Sequence, residues 1–242
     1  MIHVLDLMEP EETVGNLWHD MAKGIGADTC YPDAAVTLAS VRHSLAVLFR
    51  ALGGDAGVEL GEAPATVMQH RRPVRRKLGA DQDHEWRASF DGERLNLPPV
   101  IAAFPDAELN RAAYFWLTAL AACAELDGVD LSTEGADFDR LQITLNAAMA
   151  DKAYAACPGL RQAYAQMVQL CAALRPKVTR SAAEASIEAA ILERLAGKTA
   201  QPEAHHTPRG YMSFAPVPIW LRFGAPGSGA MAADDTADSA AP

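Results

Sequence analysis

Between Asp33 and Leu52 the apolar positions return every three or four residues: Val41, Leu45, Leu48, Phe49 and Leu52 fall on one helical face, and Gly53-Gly54 closes the run. The spacing predicts a helix there. A first helix is expected from about Glu11 to Lys23, with Pro10 at its start, Val14, Leu17, Trp18 and Met21 as its stripe, and Gly24 beyond its end. Asp106 reads as the N-cap of a helix running to about Glu125. Its apolar side chains, Trp116 among them, go almost all the way round, which assigns it to the centre of a bundle. The next helix covers about Asp137 to Cys157, Pro158-Gly159 breaks it, and another covers Leu160 to Leu174 before Pro176. Ser181-Ala182-Ala183-Glu184 has the form of a capping box opening a helix to Ala196, with Gly197 as its C-terminal cap.

The pattern changes between Gly54 and Pro99. Trp86 to Leu97 alternates around Asp91-Gly92, a pair suited to a two-residue type I′ turn, so Trp86 is expected to face Leu97 and Ala88 to face Leu95. Val58 to Val67 adds a short strand weakened by Gly57, Gly61 and Pro64. The expected fold is mainly α: a helical bundle of about six helices with a small β-hairpin inserted after the second. It forms one domain over residues 1–223. Within it, Lys198 to Arg209 reads as a linker, and residues 224–242, rich in Gly, Ala, Ser, Pro and Asp, read as a disordered tail.

Composition narrows the class without naming a function. Alanine supplies about a fifth of the 242 residues, which tilts ambiguous runs towards helix. Half the residues are hydrophobic, too many for a disordered chain, and 31 acidic against 21 basic side chains leave a formal charge of -10. That balance argues against nucleic-acid binding, which needs a broad positive field. Acidic residues stand where a secretory signal would be basic, and the apolar run from Ala112 to Leu126 is shorter than the roughly twenty residues that cross a bilayer. Cys30, Cys123, Cys157 and Cys171 contain no C-x-x-C pair, so reduced thiols in a cytoplasmic protein are expected.

Several motifs fall short of catalytic or cofactor chemistry. Gly197-Lys198-Thr199 resembles the end of a phosphate-binding loop, but Leu192 stands where the motif needs glycine, and a helix ends there instead of beginning. Asp130-Leu131-Ser132-Thr133 resembles the D-x-S-x-S metal motif of von Willebrand factor A domains, with Glu134 in place of its last serine. A loop with a helix-capping role accounts for it. Glu12, Asn16 and His19 share a helical face by their spacing of four and three and His205-His206 lies in the linker, but no histidine forms H-E-x-x-H or pairs with cysteines at zinc spacing, and a solvated face and a solvated linker account for them. No catalytic, cofactor-binding or metal residue is assigned. Two features suit partner binding. His70 to Lys77 concentrates five cations, and Arg71, Arg72, Arg75 and Arg76 offer guanidinium forks for an acidic partner, unless the run is simply a solvated face. The segment Gly210 to Trp220, with Tyr211, Phe214 and Trp220, is aromatic and proline-rich and must bury against either its own chain or a partner.

Five stretches carry a family resemblance: Met8-Glu9-Pro10-Glu11-Glu12 through Trp18-His19, Tyr31-Pro32 through Leu38, Leu48-Phe49-Arg50 through Gly54, Leu97-Pro98-Pro99 through Phe104-Pro105-Asp106 and Leu109-Asn110-Arg111, and Pro216-Val217-Pro218-Ile219-Trp220. Together they resemble the amino-terminal region of NorD proteins, over positions 8 to about 220. NorD is similar to CbbO, and both are von Willebrand factor A proteins that work with a MoxR-class AAA+ ATPase. The resemblance implies a non-enzymatic accessory factor that acts with the ATPase NorQ to mature nitric oxide reductase, through placement of non-haem iron, and that meets the membrane only through this client. NorD proteins continue through a linker into a von Willebrand factor A domain with the D-x-S-x-S site. This chain ends in what reads as the start of that linker, so the metal-dependent function carries over to no residue here. A CbbO-like adaptor for Rubisco activation is the alternative client, and an enzyme with an unrecognised site around His19 or His205-His206 is the alternative class.

Overall fold

The computed structural model describes residues 31–67, 84–177, 179–199 and 202–225. Among them are five α-helices: α1 Leu38–Ala51, α2 Ala107–Ala122, α3 Gly135–Ala156, α4 Arg161–Ala173 and α5 Ala182–Leu195. These are the second to sixth helices expected from the periodicity. The first, over Glu11 to Lys23, lies outside the described residues. Local chemistry sets the ends. The Asp106 carboxylate accepts the Glu108 amide at 2.9 Å to open α2, and Ser181 Oγ accepts the Glu184 amide at 3.2 Å to open α5. The Glu184 carboxylate in turn accepts the Arg180 amide at 2.9 Å. α1 and α5 end alike. Gly53 and Gly197 take positive φ (+92° and +74°), which turns the following amides, Gly54 and Lys198, back onto the carbonyls of Phe49 and Glu193 at 3.0 Å. α1 begins later than expected because Pro32–Ala34 forms a 3-10 turn and Val36–Thr37 a strand before it.

More sheet is present than the sequence predicts. Eight short strands, β1 Val36–Thr37, β2 Glu59–Glu62, β3 Ala65–Val67, β4 His84–Trp86, β5 Ser89–Phe90, β6 Arg94–Leu97, β7 Val100–Ile101 and β8 Arg222–Phe223, form three sheets. β1 pairs with β7 and β3 with β4, both antiparallel, and the third sheet has the order β2-β6-β5-β8. The expected hairpin exists as β5–β6, but its register differs by two. Asp91 accepts the amides of Glu93 (3.0 Å) and Arg94 (2.7 Å) and its own amide donates to Arg94 C=O (3.4 Å), which moves the turn one residue along, from Asp91-Gly92 to Gly92-Glu93, with Gly92 at φ +90°. Phe90, not Ala88, therefore faces Leu95, and Ser89 faces Asn96. Trp86 leaves the hairpin and pairs with Ala65. The single strand expected over Val58 to Val67 is two strands, β2 and β3, divided at Ala63-Pro64.

The registers in the four-stranded sheet line up side chains in rows. Leu60, Leu95, Phe90 and Phe223 form one row, and Gly61, Asn96, Ser89 and Arg222 form the next. Because alternate residues face opposite sides, the first row faces the core and the second faces out. Leu95 and Phe223 are fully buried. α2 runs through the centre as the sequence predicts, with Tyr114, Trp116, Leu117 and Leu120 all at 0% exposure.

The buried polar groups of α2 are matched. Asn110 donates to the carbonyls of Ala34 (2.7 Å) and Phe104 (2.8 Å) and accepts the Phe104 amide (2.9 Å), and Tyr114 donates to the Pro98 carbonyl at 2.7 Å. Burial raises the Tyr114 phenol above its ordinary pKa, with Glu62 adding to the effect. Trp116 stacks on Tyr164 with ring centroids 3.9 Å apart. No helix among the described residues is long and apolar enough to cross a membrane. Trp116→Ala is expected to cost about 3–5 kcal/mol in a urea denaturation, through lost transfer and cavity terms; an unchanged midpoint would place α2 at the periphery.

Candidate functional site

The segment expected to need burial, Gly210 to Trp220, crosses the structure as a strap that continues to Phe223. Its proline-rich backbone makes no helix, so its amides and carbonyls must find partners elsewhere. α3 supplies them from Asp139, Gln142 and Asn146, spaced three and four apart on its buried face. The Asn146 amide accepts from Leu221 N–H (2.9 Å) and donates to Leu221 C=O (2.8 Å); the Gln142 amide does the same for Phe223, at 2.8 and 2.9 Å. Two side-chain amides thus copy the pairing of a neighbouring strand. The other edge of the strap bonds β5: Arg222 N–H donates to Ala88 C=O (2.9 Å) and Gly224 N–H to Phe90 C=O (3.2 Å). Trp116 Nε1–H donates to Ile219 C=O at 3.2 Å.

Charge is placed against the strap with equal care. Asp139, 2% exposed, accepts from the Tyr211 hydroxyl (2.7 Å) and the Phe214 amide (3.1 Å). Burial nevertheless raises its pKa, because these bonds and the nearby Arg87 only partly replace lost water. Arg175, beyond the end of α4, holds Glu188 of α5 in a bidentate pair at 2.8–2.9 Å, with both side chains 5% exposed, and donates to Ala215 C=O at 2.6 Å. Arg87 lies 5.6 Å from the centroid of Phe214, and Arg222 lies 4.7 Å from that of Phe138. Burial, with Arg222 adding repulsion, draws the Arg87 guanidinium down to about 10, still charged at neutral pH.

The structure brings together only some of the residues singled out from sequence. Arg71, Arg72, Arg75 and Arg76 lie outside the described residues, between β3 and β4 in the chain, as do Glu12, Asn16, His19 and Cys30. Tyr211, Phe214 and Trp220 come together in the strap. Phe214 and Trp220 are buried, with rings edge to face at 6.3 Å, and of the two burial options it is the chain's own core that receives them. Gly197-Lys198-Thr199 is the cap of α5. The Asp130 carboxylate turns back onto Ser132, accepting its amide (3.0 Å) and hydroxyl (2.5 Å), which lowers its pKa, while α3 is preceded by Glu134 with no side-chain cap. The capping role expected for that loop is therefore absent. His205 sits 3.5 Å from Glu203, and no group of three or more His, Cys, Asp or Glu suited to a metal occurs among the described residues. Burial pushes up the thiols of Cys123, Cys157 and Cys171, the last to about 12, which leaves them protonated at neutral pH.

Comparison with known proteins supplies a relationship. Protein NorD of Brucella suis is 34% identical over 224 residues, 90% of this chain and 35% of the relative. Protein NorD of Stutzerimonas stutzeri is 30% identical over 218 residues, 88% of this chain and 32% of its own length. The chain matches a NorD-type region. An uncharacterised protein of Pseudomonas aeruginosa is 34% identical over 236 residues, 97% of this chain and 36% of that protein. The chain thus spans about a third of the length of the relatives it matches. No family model matches, and no solved structure matches.

The residues that carried the resemblance have visible work in this NorD-type region. Asp106 caps α2, Asn110 binds the Phe104 and Ala34 backbones, Gly53 and Gly54 end α1, and the Pro216 to Trp220 stretch is the middle of the strap. Asp139, Gln142, Asn146 and the Arg175–Glu188 pair were not singled out from sequence. Their signal was there: polar side chains at positions 139, 142 and 146 share the buried face of α3 with Ile143, Met149 and Ala153.

Replacing Asn146 with Leu leaves the Leu221 amide and carbonyl unpaired, and a cost of about 2–5 kcal/mol is expected in chemical denaturation, with faster amide exchange at Leu221 and Phe223. Asp139 has a distinct signature in pH. Its raised pKa means the folded state binds the proton more tightly than the unfolded state, so its contribution to stability improves as pH falls from neutrality through the folded pKa. Asp139→Asn, whose carbonyl still accepts both bonds, should remove that part of the pH dependence of Tm; an identical profile for the two proteins would contradict it.

Proposed function

We propose that this NorD-type region is a non-enzymatic adaptor module that works with a MoxR-class AAA+ ATPase, NorQ-like, in the maturation of nitric oxide reductase, with placement of non-haem iron as the step served. The observation that carries this reading is the 34% identity to Protein NorD across 90% of the chain. The roles of the matched residues agree with it, since those traced above cap helices, hold backbone or fill the core, as suits a scaffold presenting surfaces to partners. In this reading the module works in the cytoplasm and meets the membrane only through its client.

The partner surface assigned to the ATPase is the basic run with Arg71, Arg72, Arg75 and Arg76. In a chain of net charge -10, five cations in eight residues give the field a direction that steers an acidic partner. In the chain the run lies between β3 and β4. Exposed pairs contribute about 0–1 kcal/mol each, so a single substitution is expected to be silent while reversal of all four weakens binding. The test is recovery of the ATPase by the wild-type protein and by the fourfold Arg→Glu variant, matched for Tm. Reduced recovery, with wild-type binding itself falling as salt rises, is expected. Failure of the wild type to retain the ATPase removes the partner; equal recovery across a salt series removes the basic run as its contact.

A further inference from the structure

The strap is held by different chemistry on the two sides of Pro216 and Pro218. From Val217 to Gly224 neutral groups pair with its backbone: Asn146 with Leu221, Gln142 with Phe223, and β5 with Arg222 and Gly224. Val217, Ile219, Trp220, Leu221 and Phe223 are all buried there. Upstream, Pro202 to Ala215 has no helix or strand, and Phe214 is its one buried residue. Ionised side chains meet this stretch. Asp139 accepts from the Tyr211 hydroxyl and the Phe214 amide, and Arg175 donates to Ala215 C=O. Further back, Ser186 Oγ donates to Glu203 C=O at 3.4 Å, and the Thr207 side chain lies over Gly135.

Release of the two halves differs in cost. Freeing the carboxy-terminal half exposes five buried apolar side chains and breaks bonds on both of its edges, whereas freeing the amino-terminal half exposes one. Nor does the second release strand a charge. Arg175 keeps its bidentate partner Glu188, and Asp139, whose ionised form burial disfavours, regains water while Arg87 and Arg222 stay near it. Pro216 and Pro218 have no N–H to lose, so the boundary falls where the backbone offers fewest donors. Just beyond it, Trp220 N–H closes on Val217 C=O at 2.9 Å.

We propose that Pro202–Ala215 is a flap that lifts from the body as a unit, pivoting at Pro216–Pro218, while Val217–Gly224 stays docked. Closed, it covers Asp139 on α3 and seats the Phe214 ring among Arg87 (5.6 Å), Arg175 (6.0 Å) and the edge-to-face ring of Trp220 (6.3 Å). Open, it bares that aromatic seat with its two guanidinium groups and frees Tyr211 and Phe214. The module thus has a surface present only in the lifted state, and the packing beneath the carboxy-terminal half is kept in both. The device does not depend on the ATPase reading, since it is a property of the strap alone.

Native-state amide exchange tests it on the intact chain, at constant pH and over a series of low urea concentrations. The Phe214 amide should exchange at least about tenfold faster than those of Leu221 and Phe223. Its urea dependence should be above zero but smaller than theirs, because the flap opens in a step that exposes less surface. Tyr211→Phe removes one bond to Asp139 and should speed exchange at Phe214 by about tenfold, with Leu221 and Phe223 left at the wild-type rate. A Phe214 rate equal to or below that of Leu221 would make the strap a single unit, and no urea dependence at Phe214 would confine the motion to one amide. Either result overturns the proposal, as does a Tyr211→Phe variant that leaves Phe214 unchanged or accelerates all three amides alike.

Discussion

Everything in this structure turns on the requirement that a buried backbone without helix or long strand must still have its hydrogen bonds made. The strap from Tyr211 to Phe223 carries Phe214, Val217, Ile219, Trp220, Leu221 and Phe223 into the core, and those apolar side chains supply the reason for burial. Their peptide groups come with them. Gln142 and Asn146 on one side and β5 on the other resolve the conflict, so α3, the small sheet and α2 are held in register by a segment that has almost no secondary structure of its own. The charged pair Arg175–Glu188 extends the same solution to Ala215. An ion pair this buried gains little over a well-packed apolar one, but losing either partner strands the other charge away from water.

The helices were legible because their stop and start signals are local. Gly53, Asp106, Ser181 and Gly197 act within a turn of the chain, and the structure uses each as the sequence predicts. The hairpin register was not legible, because it hinged on whether the Asp91 side chain would take the Glu93 and Arg94 amides and move the turn on by one residue. β8 was hidden for another reason. It is two residues long and exists only because β5, more than 130 positions earlier, presents an edge, and no periodicity within residues 222–223 can report a partner that distant. The strap was visible as something that had to be buried, but its receptors on α3 were passed over because polar residues on a helix read by default as its wet side.

The two rows of the four-stranded sheet show how a period of two separates tasks. Leu60, Leu95, Phe90 and Phe223 close the core, and the neighbouring positions Gly61, Asn96, Ser89 and Arg222 are free of that duty. A shift of one residue in any pairing would exchange the rows and expose the aromatic pair, so the Asp91 turn protects both faces at once.

The strap also has a mechanical property. The bonds that hold Leu221 and Phe223 to α3, and Arg222 and Gly224 to β5, all lie across its direction of travel, on both sides within four residues. Tension along the strap at its carboxy end therefore loads them together in shear, and none can be peeled first. A force applied there is shared between α3 and the sheet.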